Sequence, residues 1–125
     1  MCLTSITKEY ADNDIEGIGY KVFIISGQTI RSPIFGFQKF EYNQWYPRKI
    51  YQTFITNTTT YDSGFHIFFN REDCLSYAYD MGWHFENWRA NQYKIIKVKY
   101  SGVIYEGLQG NLKCLVVKSI MLLDE

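Results

Sequence analysis

Residues 80–91, DMGWHFENWRAN, hold the side chains of this sequence that are best suited to binding chemistry. Trp83, Phe85 and Trp88 are able to stack on a purine or on another protein subunit. Arg89 adds a forked guanidinium, which grips a phosphate pair bidentately or lies flat on a ring. Because the segment has no clear helical or strand period, we interpret it as a loop that forms the wall of a pocket.

Polar residues of the same loop extend this interpretation. His84 is placed where contact with a partner is plausible, and Asn87 and Asn91 offer donors and acceptors that can read a base edge or a ribose hydroxyl. The alternative, which the sequence leaves open, is that the Trp side chains only cover the sheet.

A second segment, residues 42–49 (YNQWYPRK), repeats the combination of aromatic rings and cations. Trp45 and Arg48 are its candidate ligand-binding residues. Lys113 is a further cation that we expect to help Arg89 hold phosphates, although each isolated cation also suits a solvated surface charge. The two segments are expected to meet across a pocket or across a dimer interface.

The sequence contains no catalytic or metal-binding motif, so we predict a binding protein and not an enzyme. Its glycines form neither a dinucleotide fingerprint nor a P-loop. Its two His and three Cys lack the paired spacing of a zinc site. Cys74 and His66 are the one conceivable nucleophile and base, but both are interpreted as packing residues, Cys74 on the apolar side of a helix and His66 in an apolar strand. We therefore expect no catalytic residue, no metal and no cofactor.

Charge and composition bound the class of partner. Thirteen basic and thirteen acidic residues cancel, so the broad positive surface needed for duplex nucleic acid is missing. The aromatic fraction, 18% of 125 residues, exceeds what a core of this size needs. We expect some of these rings to face a partner, and we expect a homo-oligomer, because no net charge keeps the copies apart.

The expected location is the cytoplasm, with no membrane partner. No apolar stretch approaches the length of a bilayer span, and the first residues lack the apolar run of a signal peptide. The three cysteines are an odd number without paired spacing, which favours reduced thiols over a disulfide framework.

The pattern of β-branched and aromatic runs predicts one domain over residues 1–125 in the α+β class, a mostly antiparallel sheet with one main helix packed on it. Residues 20–26 and 29–42 predict a first hairpin, and residues 65–69 predict a central strand covered on both sides. Residues 93–100, 102–107 and 112–123 predict later strands. The first eighteen residues are interpreted as a short arm or a short helix, and residues 43–47 as a break between strands.

The helix is predicted to start after Asn70, which can cap it, and to stop near Gly82. Glu72 and Asp73 place acidic groups in its first turn. Its expected apolar stripe consists of Cys74, Leu75, Ala78 and Met81.

The order of short motifs resembles that of small proteins encoded by phages and prophages. These motifs are MCLT, YKVF, an SP after the first turn, GFHIF leading into REDCLSYA, then GVIYEG and VVKSIMLL. Among such proteins, the Thoeris anti-defence sponges best suit aromatic and arginine pockets without a catalytic centre. The resemblance implies an oligomer that sequesters cyclic ADP-ribose isomers or cyclic oligonucleotides at subunit junctions without cleaving them. No ligand residue is carried over from that family.

The function expected from sequence is thus capture of a cyclic nucleotide-derived immune signal. One alternative is an inhibitor that binds a host protein through the same aromatic and arginine surface, since Trp, Tyr and Arg dominate protein interfaces. A less favoured alternative is an enzyme related in outline to ADP-ribosyl transferases that would use Glu106. Ile104 stands two positions before Glu106, where such enzymes normally place a second acidic or amide residue.

Overall fold

The structure is a computed structural model that describes residues 3–32, 38–48, 52–54, 60–62, 64–80 and 91–124. Its elements are β1 Ser5–Glu9, β2 Glu16–Ser26, β3 Thr29–Arg31, β4 Lys39–Phe40, β5 Trp45–Pro47, β6 Gln52–Phe54, β7 Thr60–Asp62, β8 Phe65–Phe68, α1 Arg71–Asp80, β9 Asn91–Gln109 and β10 Leu112–Leu122. The predicted class is confirmed in outline, since the fold is mostly antiparallel sheet with one short helix. Within the described part of the chain, no helix is both long and apolar enough to cross a lipid bilayer.

Two long strands, β9 and β10, form the central ribbon of the fold. They pair antiparallel from Leu112 opposite Gln109 to Leu122 opposite Val98. The turn between them uses Gly110 at a φ of 64°, a conformation that glycine adopts without steric cost. The sequence pattern suggested two strands on either side of Gly102, but β9 runs through this glycine as one strand of 19 residues.

The strand pairings close into a ring. β2 pairs with β9, β9 with β10, β10 with β8, and β8 returns to β2 where Tyr20 lies opposite Phe68. The hairpin of β2 and β3 was predicted correctly, and β4 extends it. β5 pairs with the end of β10, so the predicted break at residues 43–47 is wrong in its second half. β6 and β7 form a separate two-stranded sheet.

Side chains at alternate positions along the strands belong to two different apolar clusters. Along β10, Leu115 and Val117 belong to the larger cluster, which faces the inside of the ring, whereas Cys114 and Val116 belong to a second cluster under the helix. β8 is buried at all of its positions, as its continuous apolar run predicts for a strand covered on both faces.

The helix contributes a modest part of the packing. Asn70 caps it as predicted, because its Oδ1 accepts a hydrogen bond of 2.8 Å from the Asp73 backbone N–H. Cys74, Tyr77 and Ala78 are its buried side chains in the second cluster. The predicted stripe was wrong at Leu75, which is 61% exposed. Met81 and Gly82 lie outside the described residues.

Where they are described, the first eighteen residues form strand β1 and the start of β2, and they contain no helix. β1 pairs with the far half of β9, while β2 pairs with its near half on the same edge. Between β1 and β2, the Asn13 side chain makes the pair of hydrogen bonds to β9 that a strand residue would otherwise make. Its Nδ2 donates to the Val103 carbonyl at 2.9 Å and its Oδ1 accepts from the Val103 N–H at 3.1 Å.

Candidate functional site

A cleft of about 400 Å³ opens where β2 turns into β3, next to the first residues of β9. The described residues that line it are Ile25, Gln28, Ile30, Tyr42, Tyr93 and Lys94. The volume lies in the range of small-molecule pockets, which are apolar depressions with a few placed polar groups.

The apolar floor of the cleft is the end of the larger core cluster. Ile30 is buried, and Ile25, its partner across the β2–β3 hairpin, packs against the same cluster. The tight turn at Gly27, with a φ of 63°, holds these two strands together and places Gln28 at the rim. The floor is therefore fixed by the sheet and does not depend on a ligand.

The polar side of the cleft combines a lysine with a tyrosine. The Lys94 ammonium donates to the Tyr42 hydroxyl at 3.4 Å and lies 6.0 Å from the centre of the Tyr42 ring. Lys94 is exposed and is the charged residue among the described lining. No carboxylate among the described lining compensates its positive charge.

The backbone around Tyr42 is held in a specific way. Tyr42 bridges Leu122, and the Asn43 N–H donates to the Leu122 carbonyl at 2.8 Å. Asn43 adopts a φ of 63°, a left-handed conformation that asparagine tolerates better than most residues. Tyr42 thereby stands at the junction of β4, β5 and β10, facing the start of β9.

This arrangement is suited to binding a planar ring that carries an anion. Tyr42 offers aromatic surface, Lys94 offers a charged donor, and the Gln28 amide offers one donor group and one acceptor. Tyr93 also lines the cleft, but its side chain packs against the second cluster. Among the described lining there is neither a carboxylate, an imidazole nor a thiol, the groups that most often serve as a base or nucleophile near neutral pH.

Most of the predicted loop lies outside the described residues, namely Trp83, His84, Phe85, Trp88 and Arg89, together with Asn87. Asn91 is described by its backbone, which begins β9 opposite Ser26. Asn91 thus begins the strand that supplies Tyr93 and Lys94 to the cleft.

The other predicted ligand residues are distributed over the surface. Trp45 is 44% exposed in β5 and lies opposite Met121, and the Arg48 N–H donates to the Lys118 carbonyl at 2.7 Å. Lys113 is exposed opposite Leu108. It lies roughly 25 Å along β10 from Met121, at about 3.3 Å per residue. Trp45 and Arg48 are neighbours in the structure, whereas Lys113 is not near them.

Residues interpreted as packing are indeed buried. Burial raises the pKa of Cys74 and of Cys114 to about 12, so both thiols stay protonated. Burial, and secondly the nearby Lys21 charge, lowers the pKa of His66 to about 3. Among the described residues, no group of three or more His, Cys, Asp or Glu side chains is arranged to hold a metal ion.

Glu106 is partnered within the sheet. Its Oε1 accepts from the Tyr10 hydroxyl at 3.4 Å, and its Cα lies opposite that of Lys8 on β1.

Searches against protein families, characterised proteins and solved structures found no match to this chain.

The cleft residues were missed because their signal is weak in the sequence. Tyr93 and Lys94 repeat the pairing of an aromatic ring with a cation, and Tyr42 opens the segment that had been selected for Trp45 and Arg48. What the sequence does not reveal is that the start of β9 lies beside Tyr42, some fifty residues earlier in the chain, because this depends on how the ring closes.

Proposed function

We propose that this protein captures a nucleotide-derived small molecule in the cleft beside Tyr42 and Lys94 and holds it without cleaving it. The observation that carries the proposal is the Lys94 ammonium beside the Tyr42 ring, above an apolar floor. A base stacks on the Tyr42 ring, and Lys94 binds a phosphate.

Such a site is sufficient for tight capture. Stacking contributes about 1–3 kcal/mol per base, and a charge-assisted hydrogen bond about 1.5–3 kcal/mol. Two to four such contacts reach submicromolar dissociation constants after the cost of association. The lack of a carboxylate, imidazole or thiol among the described lining supports capture over turnover.

The resemblance to Thoeris anti-defence sponges supplies the ligand class. It implies a cyclic ADP-ribose isomer or a cyclic oligonucleotide, a signal made during an immune response in the cytoplasm of an infected cell. These compounds join bases to phosphates in a compact ring, which is the chemistry that a phenol ring and an ammonium recognise.

The test is a thermal shift screen of the purified protein against cyclic ADP-ribose isomers and cyclic di- and trinucleotides, followed by mass analysis of ligand released on heating. A ligand at a hundred times its dissociation constant adds about 2.7 kcal/mol of stability. Stabilisation with intact ligand supports the proposal, and altered ligand means an enzyme. If no compound stabilises the protein, the cleft does not bind this class.

Replacing Lys94 links a hit to the cleft. Lys94→Met keeps the aliphatic stem and removes the charge, so we expect the dissociation constant of the hit to rise about 10- to 100-fold by calorimetry. Tyr42→Phe keeps the ring and removes the hydroxyl that accepts from Lys94, so a smaller rise is expected. Lys113→Met, an exposed lysine at the far end of β10, is the matched control. Equal losses in Lys94→Met and Lys113→Met would mean that only net charge matters.

A further inference from the structure

Four neighbouring strands present one outward row of side chains. Trp45 of β5 lies opposite Met121 of β10, Met121 opposite Lys99 of β9, and Lys99 opposite Ile18 of β2. Directly opposed residues of antiparallel strands point to the same face. Trp45 is 44% and Ile18 45% exposed, so this cross-strand row is an aromatic and apolar surface with a cation within it.

The helix presents a second apolar surface of the opposite charge. Glu72, Leu75, Ser76 and Tyr79 follow helical spacing along the side that faces away from the sheet. Leu75 is 61% and Tyr79 62% exposed. The last turn carries no basic residue. Arg71 turns toward the sheet, since its guanidinium donates to the Ile95 carbonyl at 3.4 Å. This helix ridge is therefore apolar and acidic.

The two surfaces complement each other in charge and length. Lys99 forms an ion pair with Glu16 at 3.9 Å, but both side chains are about half exposed, so the pair is weak and Lys99 can exchange partners. Three strand spacings make the row roughly 14 Å long. The ridge from Glu72 to Tyr79 spans roughly 10 Å at 1.5 Å per residue. An acidic helix thus fits across a row that carries a lysine.

We propose that a second copy of this chain docks its helix ridge on the cross-strand row, with Glu72 beside Lys99 and with Leu75 and Tyr79 against Trp45, Met121 and Ile18. One helix face is small compared with the roughly 1,200–2,000 Å² that a stable interface buries in total. The contact is therefore made twice in a two-fold dimer, because each copy carries both surfaces.

The test exchanges the charges and measures the dissociation constant of the dimer by sedimentation. Lys99→Glu and Glu72→Lys each place like charges in both contacts, so each variant alone is expected to weaken the dimer by at least about tenfold. An equimolar mixture of the two restores opposite charges in both contacts and should dimerise about as well as the unmodified protein. Leu75→Ser removes apolar contact and should also weaken the dimer more than about tenfold.

Lys113→Glu, which changes an exposed lysine away from both surfaces, is the control and should leave the dimer unchanged. Thermal melting of each variant alone shows whether the variant folds. Recovery of dimerisation in the mixture shows independently that both variants are folded. The proposal is overturned if the protein stays monomeric at about 100 μM. In that case the helix ridge and the cross-strand row would bind a different protein. An oligomer that neither charge exchange nor Leu75→Ser weakens also overturns the proposal.

Discussion

At the scale of single residues, burial changes the protonation of His66, and this change can be measured. His66 is 5% exposed in β8, and the Lys21 ammonium donates to its backbone carbonyl at 3.4 Å. The Cys74 and Cys114 thiols, the other titratable groups near Lys21, stay neutral because burial raises their pKa to about 12. The imidazole is therefore held uncharged.

This makes stability depend on pH in a definite direction. The pKa of His66 is lowered from 6.5 to about 3, so between these values the unfolded chain binds a proton that the folded chain does not. The folded state loses stability as pH falls below 6.5, by about 2 kcal/mol between pH 7 and pH 5 from this residue alone. Urea unfolding of His66→Gln should show a decline that is smaller by that amount. An equal decline in both proteins would mean that His66 is protonated in the fold.

At the scale of elements, the Asn13 side chain bonds to β9 in the gap between β1 and β2, which pair with separate halves of that strand. Asn13→Ala removes both hydrogen bonds to Val103 and leaves its partly buried N–H and carbonyl without them. We expect the free energy of unfolding to fall by about 1–3 kcal/mol, measured by urea denaturation. Asp14→Ala, an exposed neighbour, is the control and should change it by less than about 0.5 kcal/mol. If the two variants lose the same free energy of unfolding, the Asn13 amide does not stabilise this part of the sheet.

Elements built from local signals were predictable from the sequence. The Asn70 cap, the hairpin turn at Gly27 and the alternation of Ile96 and Val98 are encoded within a few residues of where they act. β1 was not predictable, because residues 5–9 are partly polar and their strand partner lies about a hundred residues away. Leu75 was assigned to the core because apolar type alone does not say which side of a helix meets the sheet.

The candidate site was predictable in its chemistry more than in its location. The sequence indicates aromatic rings beside cations, and the cleft has this composition in Tyr42, Tyr93 and Lys94. The particular residues follow from the pairing of β2 with β9 and from the Tyr42–Leu122 bridge, which are long-range contacts. The position of Trp45 in the exposed cross-strand row likewise follows from a long-range contact, the pairing of β5 with β10.

At the scale of the whole molecule, ring closure depends on how closely β2 approaches β8. A Cβ at Gly19 would overlap the Ile67 side chain and come within 2.9 Å of the Phe68 carbonyl oxygen. Gly19→Ala should therefore force the two strands apart and cost about 1–3 kcal/mol of stability in thermal or urea unfolding.

Gly17→Ala is the matched control in the same strand. Its Cβ would meet the hydroxyl end of the partly buried Tyr100 side chain and no backbone atom among its nearest contacts, whereas the Cβ at Gly19 also meets a backbone carbonyl. We expect it to cost clearly less than Gly19→Ala. Similar losses in the two variants would show that the effect comes from strand glycines in general and not from the closure of the ring.

The sharing of β9 by β1 and β2 also sets an order of assembly during synthesis. Both N-terminal strands leave the ribosome long before β9, so the nascent chain carries them without their principal partner. The ribbon of β9 and β10 is a local hairpin and can form first, whereas docking β1 and β2 onto it closes loops of up to about a hundred residues. Folding is thus completed only after β9 and β10 have been released, and until then the apolar strand β2 lacks the strand that it pairs with.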